Sequence, residues 1–258
     1  MEANSNFQIQ LSNEDAARTM LVERYKSSYG DQVKEKVELL LKLDGYTSRF
    51  KWLQSILKES ISSLHNIMIS GYGAGSEMIV ARRFGFQEIH GVEVDPALLD
   101  VTKTRLTELQ EMYPALYDGV TLPYKDEQFD LLVSGHIIEH TESPKDYLHE
   151  VMRVLKTGGF LYIEFPSRYH IIELHTGLLS FEWLPTSLRN LILKSLSSPR
   201  SFLSPQIKSK YNSILTTGLK QISRRDIFRW LKEIHVSYKD VAYSIPALGY
   251  MRMIIKKQ

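Results

Sequence analysis

The stretch Ile67-Met68-Ile69-Ser70-Gly71-Tyr72-Gly73-Ala74-Gly75 decides the fold. Three apolar residues in a row read as a short buried strand, and glycines at alternate positions read as a tight turn into a helix. Glycine there lets the backbone bend sharply and approach a ligand closely. A helix pattern follows from Glu77 to Phe84, then a second strand pattern from Ile89 to Val94. That strand ends in Gly91-Val92-Glu93-Val94-Asp95. A carboxylate at a second strand tip, about 20 residues beyond such glycines, is placed to accept hydrogen bonds from ribose hydroxyls. Glu93 is the first candidate and Asp95 the second.

Outward from this unit the same rhythm continues. Pro96 to Glu111 reads as a helix, Phe129 to Val133 as a strand, Ser143 to Leu155 as a helix closed by Gly158-Gly159, and Phe160 to Phe165 as a strand. Strands alternating with helices imply crossover connections, a mostly parallel sheet and helices on both faces. Residues 11 to 64 carry helical apolar stripes, such as Leu21, Val22, Tyr25 and Tyr29, so 1–65 reads as a helical N-terminal extension and 66–258 as the main domain. Within it, residues 166–225 break the rhythm with prolines at 166, 185, 199 and 205, and read as an inserted helical lid. From Trp183 to Arg225 there are eight basic residues and no acidic one. A helix near Arg225 to Ile234 and strands around 236–243 and 250–256 complete the pattern.

The 258 residues are 43% apolar, enough for one sizeable core, and the formal charge of +2 says little about partners. With no cysteine, disulfides, Cys-ligated zinc, iron–sulfur clusters and a thiol nucleophile are excluded. The polar start Met-Glu-Ala-Asn-Ser-Asn lacks a signal-peptide core, and no apolar run approaches the roughly 20 residues of a spanning helix. A cytoplasmic location is the expectation.

Nicotinamide cofactors and S-adenosylmethionine both carry a ribose that Glu93 could hold. They differ at the glycine loop, where a dinucleotide brings a pyrophosphate to the helix N-terminus. Here the third glycine of a GxGxxG spacing is missing, and Glu77 stands in the first helical turn.

Later segments separate the two. Asp118 to Asp130 (DGVTLPYKDEQFD) resembles the D-x-x-x-L-P-[FY]-x-[DE]-x-x-[FY]-D segment of class I S-adenosylmethionine-dependent methyltransferases. Ile138-Glu139-His140 resembles the segment that follows their fourth strand, and Glu150 to Gly159 resembles their E-x-x-R-V-L-K-P-G-G, with Thr157 for proline. The order is similar to that of the ubiquinone and menaquinone methyltransferase branch, over roughly residues 66 to 165. The resemblance implies an α/β fold: a Rossmann-like, doubly wound, seven-stranded sheet with one antiparallel strand near its C-terminal edge. It implies S-adenosyl-L-methionine as cofactor, with Gly71, Tyr72, Gly73 and Gly75 at the methionine end. Glu93 and Val94 would then lie at the ribose, Asp118 and Gly119 at the adenine, and Ser134, Gly135 and His136 at the fourth strand's tip. Ser70 stands where the family often has an acid, which leaves open how the methionine ammonium is held.

His136-Ile-Ile-Glu139-His140 admits several readings. It formally matches the H-x-x-E-H of zinc proteases, but follows a strand rather than lying in a helix. It partly matches a metal-binding E-x-x-E-H segment of some methyltransferases, with His136 in place of the first glutamate; no metal is assigned. Glu139 or His140 can serve as a general base, or His140 can support the pocket wall. Glu173-Leu174-His175-Thr176-Gly177-Leu178 is similar to a segment of glycan and natural-product methyltransferases, and adds His175 to the catalytic candidates. The expectation is methylation of a small-molecule or glycan acceptor, anionic if the basic run meets it, at oxygen. The alternatives are C-methylation of a lipid or quinone at a membrane surface, with Leu188, Leu191, Ile192 and Leu196 resting on it, and a nicotinamide-type oxidoreductase. Nothing matches a nucleic-acid-binding module.

Overall fold

The computed structural model describes residues 12–166, 181, 184–216, 220, 222–244 and 250–258. Ile67, Met68 and Ile69 are fully buried in β1 (Asn66–Ser70), which pairs in parallel with β2 (Glu88–Glu93) on one side and β4 (Phe129–Gly135) on the other. With β3 (Met112–Leu116), β5 (Leu155–Pro166), β6 (Tyr238–Ser244) and β7 (Tyr250–Lys257), the seven-stranded order is β3-β2-β1-β4-β5-β7-β6. Only β7 runs antiparallel to its neighbours β5 and β6. The order reverses beside β1, so a crevice opens at the carboxyl ends of β1, β2 and β4, the place where open α/β sheets bind ligands.

Helices cover both faces. One layer uses α3 (Asp44–Leu57) and α4 (Ser76–Arg83), packing Phe50, Leu53 and Met78 on Ile67, Ile69, Val133 and Tyr162. The other uses α6 (Pro144–Val154) and α9 (Arg224–Glu233), packing Leu148, Val151, Ile227 and Leu231 on Met68, Leu132 and Leu161. Alternate residues of β1 thus serve opposite layers, as the period of two requires. The extension supplies α1 (Glu14–Tyr29), α2 (Val33–Leu41) and α3. Ala17, Leu21, Val37 and Leu41 pack on Ala74, Leu98 and Val101, joining α1 and α2 to the glycine turn and to α5 (Pro96–Leu106). In the 166–225 stretch lie α7 (Thr186–Ser197) and α8 (Pro205–Thr216).

Two helix ends differ from the sequence pattern. The helix expected to reach Glu111 stops at Leu106, and Met112–Leu116 forms edge strand β3 with Pro114 at its centre. An edge tolerates proline because one row of N–H groups has no strand to donate to. The helix expected to reach Leu155 ends at Val154, and Gly158-Gly159 does not close it. Leu155 already pairs with Phe129, and Gly158, at φ +85°, lies inside β5. The opposite edge strand, β6, carries Lys239, Asp240 and a register shift between Asp240 and Ala242. No described helix is long and apolar enough to cross a membrane.

Candidate active site

A cavity of about 360 Å³ opens at the carboxyl ends of β1, β2 and β4. Gly71, Glu93, Val94, Asp118 and Gly119 line one part of it, with Tyr117 and Val120; Ile137, His140, Thr141 and Glu142 line the other. Five of the residues expected at the cofactor therefore converge with one expected catalytic residue.

Each wall has a local cause. Gly71 sits at φ +70°, and a Cβ there would lie 2.0 Å from Ile137 Cδ1, so only glycine lets the β4 loop close over the turn. The Gly71 amide donates to Val92 O (2.8 Å), which fixes the turn against β2. Glu93 is 9% exposed. Its Oε2 accepts from the Gly73 amide (3.0 Å), and its Oε1 from the amides of Val94 (2.8 Å) and Asp95 (3.3 Å). A carboxylate offers about four acceptor sites, so one remains, on Oε2. Asp118 Oδ1 accepts from the amides of Val120 and Thr121, both at 2.8 Å. These bonds hold its carboxyl below the usual range.

Other expected residues lie behind this wall. The Tyr72 ring covers Gly91, its hydroxyl donates to Ala115 O (3.2 Å), and it is 1% exposed. Gly73 and Gly75 shape the turn; the Thr102 hydroxyl donates to Gly73 O (2.9 Å), and its methyl fills the space beside Gly75. Ser134 is fully buried and shares a hydrogen bond with the Tyr147 hydroxyl (2.7 Å), which also reaches Ser70 (2.8 Å). The departure at Ser70 is thus part of a buried hydroxyl chain. Burial pushes the Tyr147 phenol well up.

Gly135 and His136 belong to a charged cluster that the sequence pattern did not reveal. The Arg49 guanidinium, from α3, fills the place a Gly135 side chain would take. It meets Glu77 (2.5 Å) and Glu164 (3.2 Å) and is almost fully buried. Glu164 also holds Arg252 (2.9 Å), His136 Nε2 (2.9 Å) and the Tyr162 hydroxyl. Burial raises the Glu164 carboxyl, but His136 and Arg49 outweigh it and hold it well below the usual range. Burial lowers His136, but the flanking Glu139 and Glu164 carboxylates win and raise it. His136 sits at φ +60° with its amide on Glu164 O (2.7 Å). Glu139 is 3% exposed, and neither of its carboxylate oxygens has a hydrogen bond among the described residues; His136 Nδ1 stands 3.5 Å away. His140, next in the same 3-10 turn, is exposed and faces the cavity. His175 and Glu173 lie outside the described residues. Among the described residues no three metal-type ligands are grouped.

The extension also reaches the site. Arg24 pairs with Asp95 (2.9 Å), and Tyr25 lies close enough that burial, Asp95 and Glu93 together raise its phenol.

The methyltransferase domain family matches residues 69–163. That segment resembles a methyltransferase domain, and the fold is that of solved S-adenosylmethionine-dependent methyltransferases. Among its relatives is the demethylmenaquinone methyltransferase of Tropheryma whipplei, 24% identical over 103 residues, or 40% of this chain and 42% of that protein. Another is the ubiquinone/menaquinone biosynthesis C-methyltransferase of Laribacter hongkongensis, 24% identical over 159 residues, covering 59% and 65%. The chain spans between 33% and 42% of the length of the first curated relatives it matches. Among solved structures, an S-adenosylmethionine-dependent methyltransferase from Mesorhizobium loti aligns at TM-score 0.58 and 14% identity, covering 84% of this chain and all (100%) of that one. A methyltransferase from Methanococcus maripaludis aligns at 0.56 and 15%, covering 95% and 94%. These likenesses speak to fold.

S-adenosyl-L-methionine is the molecule on which the named solved methyltransferases of this fold depend, and the residues lining the cavity fit it. The cavity is within the range of small-molecule sites. Glu93 keeps one acceptor site for a ribose hydroxyl, and bare backbone at Gly71 and Gly119 lets a ligand approach closely. A pyrophosphate fits less well. Ala74, Ser76 and Glu77 at the start of α4 are buried, with Ser76 donating to Leu40 O (2.9 Å) and Arg105 to Ala74 O (2.7 Å).

Proposed function

We propose that the chain methylates a small-molecule or glycan acceptor at oxygen, held where the β4 loop meets the end of β5. The observation that carries this reading is the convergence of Gly71, Glu93, Asp118 and Gly119 with His140 on one cavity. When bound, the donor supplies an electrophilic methyl on a sulfonium, a good leaving group, so the protein's main task is alignment. Glu93 orients the ribose through its remaining acceptor site, and Asp118 Oδ2 accepts from the adenine amine. Tyr72, Gly73, Gly75, Ser134, Gly135 and His136 shape and brace the walls from behind.

A hydroxyl acceptor must lose a proton, and His140, which lines the cavity, is the base that takes it. Glu139 acts through His136. Carboxylates beside both ring nitrogens favour the protonated form of His136, which braces the wall rather than serving as the base. His175 is the second candidate base. The closed start of α4 supports methyl transfer over hydride transfer to a nicotinamide.

Calorimetry with S-adenosylhomocysteine and with NADH tests the donor; binding of NADH alone would overturn the reading. A radiolabelled-methyl screen against metabolite extract tests the acceptor. Label entering a quinone or lipid carbon rather than an oxygen would favour the reading that the two quinone-pathway relatives suggest.

A further inference from the structure

Among the described residues, helices α7 and α8 form a hairpin whose two helices pack chiefly on each other. Its small core is Leu193 and Tyr211, flanked by Phe181, Leu196, Leu203, Ile207 and Leu215. The apolar stripe expected along α7 is divided. Leu196 turns to this core, while Leu188 is 45% exposed and Leu191 66% exposed. Phe202, in the turn between the helices, is 94% exposed. Three large apolar side chains thus stand exposed on one small element.

The same element is strongly basic. Residues 184–216 contain Arg189, Lys194, Arg200, Lys208 and Lys210 and no Asp or Glu, a net +5, whereas the whole chain is +2. The remainder therefore carries net −3, and the positive charge is concentrated on the hairpin. Lys194 is exposed one helical turn beyond Leu191, and Arg200 is exposed two residues before Phe202. Beyond α8, the Lys220 amide donates to Glu139 O (3.1 Å), beside the cavity wall.

Apolar side chains in solvent with cations beside them match one surface chemistry well. At an anionic bilayer, Phe and Leu enter the boundary between headgroups and acyl chains while Lys and Arg lie against phosphates. A second copy of the hairpin would bring like charge to like charge. Single-stranded nucleic acid would use the cations and one stacking ring, but leave Leu188 and Leu191 without a partner.

We propose that the α7–α8 hairpin docks on an anionic phospholipid surface through Phe202, Leu191, Lys194 and Arg200. This goes beyond the methyl-transfer reading and does not rest on it.

The test is sedimentation of the full chain with vesicles of phosphatidylcholine alone or mixed with phosphatidylglycerol. The chain should sediment with the mixed vesicles only, and less so as salt rises and screens the charges. Leu191→Ser with Phe202→Ser should cut partitioning by about tenfold or more, since two large apolar groups are lost. Lys194→Glu with Arg200→Glu should do the same through charge. Unchanged thermal melting of each variant shows that the body is intact. The proposal is overturned by failure to sediment with anionic vesicles, by undiminished sedimentation of both variants, or by capture of single-stranded RNA without vesicle binding.

Discussion

Replacing Glu93 separates two tasks that its carboxylate performs together. Three backbone amides occupy three of its acceptor sites, and only one site, on Oε2, is left for a ligand. One charge-assisted hydrogen bond is worth about 1.5–3 kcal/mol. Glu93→Ala should therefore weaken S-adenosylhomocysteine binding by roughly 10- to 150-fold, and not by the square of that. It should also destabilise the fold by about 1–3 kcal/mol for each amide left buried without an acceptor. Glu93→Gln keeps one carbonyl oxygen for the Val94 and Asp95 amides, but turns an NH2 toward the Gly73 N–H. It should lose affinity like alanine and less stability. Titration calorimetry and urea unfolding on the same preparations read the two effects. Affinity within twofold of wild type in folded Glu93→Gln would refute the ribose role.

Gly71→Ala forces a Cβ to within 2.0 Å of Ile137 Cδ1 at a positive φ. It should cost about 1–2 kcal/mol of backbone strain and drive Ile137 into the cavity, seen as weaker donor binding by calorimetry. Arg49→Met removes the only ion-pair partner that Glu77 has among the described residues. It should cost about 3–5 kcal/mol, or about 6–20 °C in Tm for a chain of this size, and Glu77→Gln in the same chain should recover part of it. The His136 pKa is raised above 6.5, so its contribution is full below that value and fades as pH rises through the raised one. The Glu164 pKa is held below 4.5, so its contribution is full above that value and fades as pH falls. Denaturation across pH should show both limbs, and His136→Asn should flatten the alkaline one. His140→Ala should slow turnover more than it weakens donor binding and remove a limb of the pH–rate profile; an unchanged profile would rule out the base role.

The parts legible in the sequence are those that local rules fix. The β1 strand, the glycine turn and Glu93 follow from periodicity, a positive-φ requirement and one spacing. Edge strand β3 was not legible because Met112-Tyr-Pro-Ala-Leu carries a proline that argues against a strand until its edge position is known. The start of β5 at Leu155 was hidden because Gly158-Gly159 looks like a helix stop. The Arg49 cluster joins α3, α4, β5 and β7, residues up to 203 positions apart, and no local pattern reports that. One signal was present. Tyr46, Arg49, Phe50, Leu53 and Leu57 share a helical face, and a charge on an apolar face calls for a buried partner. Tyr72 shows the converse: its place among the glycines suggested a ligand contact, but Gly91 leaves room for its ring in the core.

Pro114 has a bearing on how molecules of this protein coexist at high concentration. An open sheet margin is a template onto which another chain can add and so begin a fibril. At the β3 margin the central residue has no N–H to offer, and at the β6 margin the register shift and the Lys239–Asp240 charges interrupt the ladder. The sheet therefore ends cleanly on both sides, and self-assembly by strand addition has no long uninterrupted row of donors to copy.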